Sequence, residues 1–81
     1  MNTYTYTIYD GDPTESGPCE WPSHTNIELR ATCPRNALRR AFTTARRIGR
    51  ACGEYSRGDR LWITVWDEAG IIVRGSDSIT L

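Results

Sequence analysis

Residues 3–9 (TYTYTIY) alternate between threonine and a large apolar or aromatic side chain as far as Ile8. That two-residue period, in a run rich in β-forming residues, predicts a strand. Residues 26–32 (NIELRAT) alternate again, with Ile27, Leu29 and Ala31 on one face, and predict a second strand. The period then changes. Leu38, Ala41, Phe42, Ala45, Ile48, Gly49 and Cys52 recur at helical spacing and fall in one stripe about 120° wide at 100° per residue. Pro34 suits the first helical turn, where its missing N–H costs nothing, with Thr32 or Cys33 at the cap. Gly53 is a stop signal. Residues 57–60 (RGDR) form a turn, 61–66 (LWITVW) a third strand, 67–70 (DEAG) a hairpin loop and 71–74 (IIVR) a fourth strand. The tail adds a short fifth element through Ile79 and Leu81. The order is ββαββ. It predicts an α+β fold in which one helix packs on a four- to five-stranded antiparallel sheet.

The helix can cover only one side of such a sheet. Leu61, Ile63 and Val65 share one face of their strand and fit beneath it, together with Ile27, Leu29, Ile8, Tyr4 and Tyr6. Trp62, Thr64 and Trp66 then lie on the opposite face, beside Thr3, Thr5, Thr7, Glu28 and Arg30. Two tryptophans on a solvated sheet face mark a contact site. Four readings stand for it. The 10–24 segment folds back and covers the indoles with Trp21 and its prolines; a second copy of the chain docks there; a different protein does; or nucleic-acid bases stack on the rings. No RNP-like pattern supports the last.

The 81 residues suffice for one domain, spanning 1–81. Residues 10–24 carry three prolines and two glycines and form a long loop of the kind that is functional or disordered. No stretch is long and apolar enough to cross a membrane, and the N-terminus lacks the basic start and apolar run of a signal peptide, so a cytoplasmic location is expected. Cys19, Cys33 and Cys52 are odd in number and contain no CxxC pair. Cys33 and Cys52 sit at opposite ends of the helix, about 28 Å apart, so three free thiols are expected.

Charge sharpens the picture. The net charge is zero, yet residues 1–28 hold five acids and no arginine, and residues 29–60 hold nine arginines and two acids. All ten basic residues are arginine, which fits a GC-rich coding bias and equally a need for planar, bidentate donors. Arg35, Arg39, Arg46 and Arg50 project within about 60° of one another on the helix, with Arg40 and Arg47 beside them. Glu54, four residues beyond Arg50, is the only acid near; the other helix arginines have no carboxylate at i±3 or i±4, and several repel each other. This face is solvated, or matched internally by the acidic loop (Asp10, Asp12, Glu15, Glu20), or docked on an external anion. Zero net charge argues against general nucleic-acid binding.

Catalytic and metal signatures are thin. His24 is the only histidine, and Cys19, His24 and Cys33 match no common zinc spacing. A Cys–His nucleophile pair has no support beyond proximity in sequence. P-loop, GxGxxG, HExxH and GxSxG motifs are missing; RGD at 57–59 is a three-residue coincidence in a turn, and Asp67 and Glu68 are turn residues. The chain therefore reads as a non-enzyme without metal or cofactor, acting through a surface as a monomer or homodimer.

The strand IELRAT, the arginine-rich helix PRNALRRAFTTARRIGRACG and the hairpin LWITVWDEAGIIVRG together resemble the small type I anti-CRISPR proteins of phages and mobile elements, built as one short sheet with one helix. The resemblance rests on size, architecture and surface character over nearly the whole chain. It implies a stoichiometric inhibitor that docks on a crRNA-guided surveillance complex in the host cytosol and blocks access of target DNA. Arg35, Arg39, Arg46 and Arg50 would pair with acidic groups; in the opposite arrangement the acidic loop mimics DNA phosphates. A small nucleic-acid-binding or regulatory module, and a homodimer joined through Trp62 and Trp66, are the other function classes.

Overall fold

The computed structural model describes residues 1–14, 24–53 and 55–81. Expectations placed on Glu15, Cys19, Glu20, Trp21 and Glu54 lie outside the described residues. Five elements follow one another: β1 (Asn2–Tyr9), β2 (Ile27–Ala31), α1 (Pro34–Ala51), β3 (Arg60–Trp66) and β4 (Ser78–Thr80). The architecture is α+β, one helix on a four-stranded antiparallel sheet of order β2-β1-β3-β4.

The alternation in β1 places Tyr4, Tyr6 and Ile8 on one side and Thr3, Thr5, Thr7 and Tyr9 on the other. Cross-strand register extends both faces: Tyr4 opposes Leu29, Tyr6 opposes both Ile27 and Val65, and Ile8 opposes Ile63. At the far side Leu61 opposes Ile79. These residues form the floor of the core, as the hydrophobic pattern implies, and α1 lies across them.

The helix meets the sheet through a narrower seam than its apolar stripe suggests. Ala37, Ala41, Ala45 and Gly49 are its buried residues; Leu38, Phe42 and Ile48 are half-buried flanks. The reason is distance. Small residues on the line of closest approach let the backbones come together, and the bulky side chains spread into the margins. At Gly49 a Cβ would sit 2.8 Å from Leu81 Cδ2 and 2.9 Å from Leu61 Cδ1. Cys33 is the N-cap, in extended conformation and without a side-chain cap bond, and Pro34 follows it. The Thr32 hydroxyl instead accepts a 2.7 Å bond from Asn36 Nδ2. Helix α1 ends at Ala51, and Cys52, again extended, donates its N–H to Ile48 O. Gly53 follows the end but does not adopt the left-handed conformation of a glycine cap.

The fourth strand is not where the pattern 71–74 predicts it. Ile72 makes only an isolated bridge to Trp66, and the paired strand is the tail, Ser78–Thr80. Both pieces run along β3, so they are halves of one edge strand that is interrupted. Six positions separate Ile72 from Ser78 where β3 needs four between Trp66 and Trp62. The two extra residues leave as a turn at Arg74–Gly75, with Gly75 at φ 104°. The Ser76 side chain fills the break: its Oγ accepts from Val65 N at 3.1 Å and donates to Val73 O at 2.9 Å. An even insertion preserves the faces. Val73 is buried, and Ile72 stands beside Trp66 on the other side. The preceding loop is tight because Asp67 Oδ1 accepts from both Ala69 N (2.9 Å) and Ile71 N (3.0 Å), while Gly70 takes φ 79°.

Candidate functional site: the arginine face and the tryptophan groove

Helix periodicity separates the two sides of α1. Its buried seam is small and apolar, and Arg35, Arg39, Arg40, Arg47 and Arg50 are exposed. Arg46 is half-buried, because it lies on the side of the polar face next to Phe42. Two of the six have local tasks that periodicity cannot reveal. Arg39 Nη2 donates to Asn36 Oδ1 at 2.8 Å. Arg40 Nη1 donates to the carbonyl of Arg30 on the free edge of β2, tying the helix to that edge. Arg35, Arg46, Arg47 and Arg50 make no hydrogen bond or ion pair within the described residues. No acid occupies the first turn of α1, so Arg35 faces the positive end of the helix dipole uncompensated, whereas Arg50 in the last turn is favoured by it.

One charge on this helix acts inward. The Tyr6 phenol lies beneath α1, and burial pushes its pKa above the ordinary 10; a hydrogen bond with the Thr44 side chain and the nearby Arg47 guanidinium partly offset that rise.

The acidic loop is described only at its start. Asp10 is exposed. Asp12 Oδ1 accepts from the Thr14 hydroxyl at 2.7 Å and from Thr14 N at 2.9 Å. The hydroxyl bond first, then the backbone bond, hold the Asp12 carboxyl below its ordinary range. This is an Asx-type turn and does not reach the arginines of α1.

The second sheet face is less open than the pattern implies. Thr7 and Thr64 are 1% and 7% exposed, Tyr9 is also buried, and Trp62 and Trp66 are half-buried. Asn26, at φ 53°, donates its N–H to Thr7 Oγ1 at 2.9 Å, so the chain entering β2 covers the centre of this face. Toward β3 an open groove of about 490 Å³ remains. Trp62 and Trp66 lie in it with Thr64 between them; Tyr9, which opposes Trp62, and Ile72 bound it, and Asp12, Pro13 and Asp77 line it as well. Alternation along β1 puts Tyr9 on this face, but periodicity cannot place Pro13, Ile72 and Asp77 in the groove, since they arrive through a loop and an interrupted edge. Ile71 and Ile72, directly after the 67–70 loop, are both exposed, and Ile72 borders the groove.

Among the described residues no cluster of three or more His, Cys, Asp or Glu side chains could hold a metal ion, and Cys33 and Cys52 are free thiols. No described helix is long and apolar enough to cross a membrane. The fold and these two surfaces define the class: a one-helix, four-stranded α+β protein with a cationic helix on one side of its sheet and an indole-lined groove on the other. No family model, curated protein or solved structure matches the chain.

Proposed function

We propose that the protein is a non-catalytic binding protein that docks the arginine face of α1 on an anionic surface of a macromolecular partner. The observation that carries this reading is the lack of internal neutralisation among the described residues. Arg35, Arg46, Arg47 and Arg50 have no carboxylate partner among the described residues, and Asp12 of the acidic loop is engaged locally by Thr14. Guanidinium groups left in this way offer bidentate donors to carboxylates or phosphates. The resemblance to anti-CRISPR proteins supplies a specific form: an inhibitor acting in the bacterial cytosol that occupies a surveillance complex and excludes target DNA. Overall neutrality favours a protein-borne acidic face over bare nucleic acid, because a dedicated nucleic-acid binder carries net positive charge.

A competition assay tests it. Purified type I surveillance complex is titrated with labelled target DNA at increasing concentrations of this protein. The expected result is stoichiometric loss of DNA binding, together with negligible affinity of the protein for free duplex DNA at about 150 mM salt. Arg39→Glu combined with Arg50→Glu should weaken the inhibition at least about 10-fold, with helix content and melting temperature little changed. Undiminished binding by that double variant removes α1 from the interface. Steeply salt-dependent binding to free DNA supports the alternative of a nucleic-acid module.

A further inference from the structure

The groove on the second sheet face has a chemistry opposite to that of the helix. Among the described residues its lining includes two indoles, a tyrosine, two isoleucines and two carboxylates, and no basic side chain. The carboxylates belong to Asp12 and Asp77. Asp12 is held in its charged form by Thr14 through one oxygen, and its other oxygen accepts no bond among the described residues. Asp77 is exposed, and its backbone carbonyl, not its side chain, is used by Ile63 N.

Flat aromatic surface beside unpaired carboxylates selects for one kind of ligand group. A planar cation stacks on an indole through dispersion and the ring quadrupole, and its N–H donors reach the carboxylates in the plane. Guanidinium satisfies both demands at once; ammonium is more strongly hydrated and cannot stack. Trp62 and Trp66 are four residues apart on one strand face, or about 13 Å, the separation of alternate-but-one side chains along an extended peptide. We propose that this groove seats an arginine-bearing extended segment of a protein partner, with guanidinium groups stacked on Trp62 and Trp66 and paired with Asp12 and Asp77. The site lies on the opposite side of the sheet from α1, so it does not rest on the docking role given to the helix.

The test uses the full chain and two capped peptides of equal charge, acetyl-Arg-Gly-Arg-Gly-Arg-amide and its lysine counterpart, titrated by calorimetry and by tryptophan fluorescence. The arginine peptide is expected to bind at least about 3- to 10-fold more tightly than the lysine peptide and to perturb the indole emission. Asp77→Asn, at an exposed position, should weaken it several-fold without altering the fold. Trp66→Leu should abolish the preference for arginine over lysine, and its melting curve reports whether the variant is folded. Equal affinity for both peptides, or wild-type affinity in Asp77→Asn, overturns the proposal by reducing it to diffuse attraction to acidic surface. A concentration-dependent oligomer in light scattering that Asp77→Asn dissolves also overturns it, since the occupant is then a second copy of this chain presenting its own arginines.

Discussion

At the residue scale, Tyr6 shows how a side chain placed by simple alternation acquires a property that alternation does not contain. Its position in β1 sends it to the core face, and there burial raises its pKa against the opposing pull of Thr44 and Arg47. The linkage has a definite sign. A phenol whose folded pKa lies above its unfolded value keeps its proton in the native state after the unfolded chain has lost it. Native stability is therefore fully present below about pH 10 and falls as pH rises through the folded pKa. Melting temperatures measured from pH 9 to 11.5 should fall more steeply for the wild type than for Tyr6→Phe, which has no proton to lose; parallel curves would mean that Tyr6 titrates as in the unfolded chain. The same contrast holds along α1. That Ala41 and Ala45 face inward was readable from spacing, and so was the polar character of Arg39 and Arg40. That Arg40 is anchored to the Arg30 carbonyl, or Arg39 to Asn36, was not, because each contact depends on where a flexible chain of several bonds comes to rest.

At the element scale, the long periodic segments were legible and the edge of the sheet was not. Strands β1, β2 and β3 and helix α1 follow from runs of five or more residues in which period and propensity agree. The run 71–74 had the right composition but only four residues, and its ladder fails because Arg74 and Gly75 leave the strand. Ser76 keeps the break from becoming a buried defect. Ser76→Ala would leave Val65 N–H, on a fully buried residue, with no acceptor, at a cost of about 1–2 kcal/mol. Urea unfolding should record this as a lower midpoint at unchanged slope, and Ser76→Thr, which retains the hydroxyl, should lose less than half as much. No loss in Ser76→Ala would show that water replaces the hydroxyl. The free edge of β2 is handled differently: the Arg40 guanidinium occupies one of its outward carbonyls, which blunts strand-to-strand association at that edge.

At the scale of the whole molecule, the uneven charge distribution seen in the chain becomes a polarity of the folded body. The sheet separates a cationic helix from a groove flanked by Asp12 and Asp77. Like charges at i, i+4 and i, i+3 on α1 (Arg35 with Arg39, Arg46 with Arg50, Arg47 with Arg50) oppose folding by roughly 0.2–0.5 kcal/mol each at low ionic strength. Screening removes that repulsion. Raising NaCl from about 10 to 500 mM should therefore lift the melting temperature by several degrees in a chain of this size, and Arg39→Gln with Arg50→Gln should flatten the slope. A melting temperature that falls with salt would reveal stabilising ion pairs involving these arginines. The chain by itself determined the fold class, the two faces of the sheet and the segregation of its charges, because each is set by local period and by composition. The tertiary structure alone decided which arginines have partners among the described residues, how the edge strand is broken and repaired, and that Tyr9, Asp12, Ile72 and Asp77 gather around two tryptophans. Those outcomes depend on contacts between residues far apart in sequence, where register, turn geometry and close approach are settled by packing and leave no periodic trace.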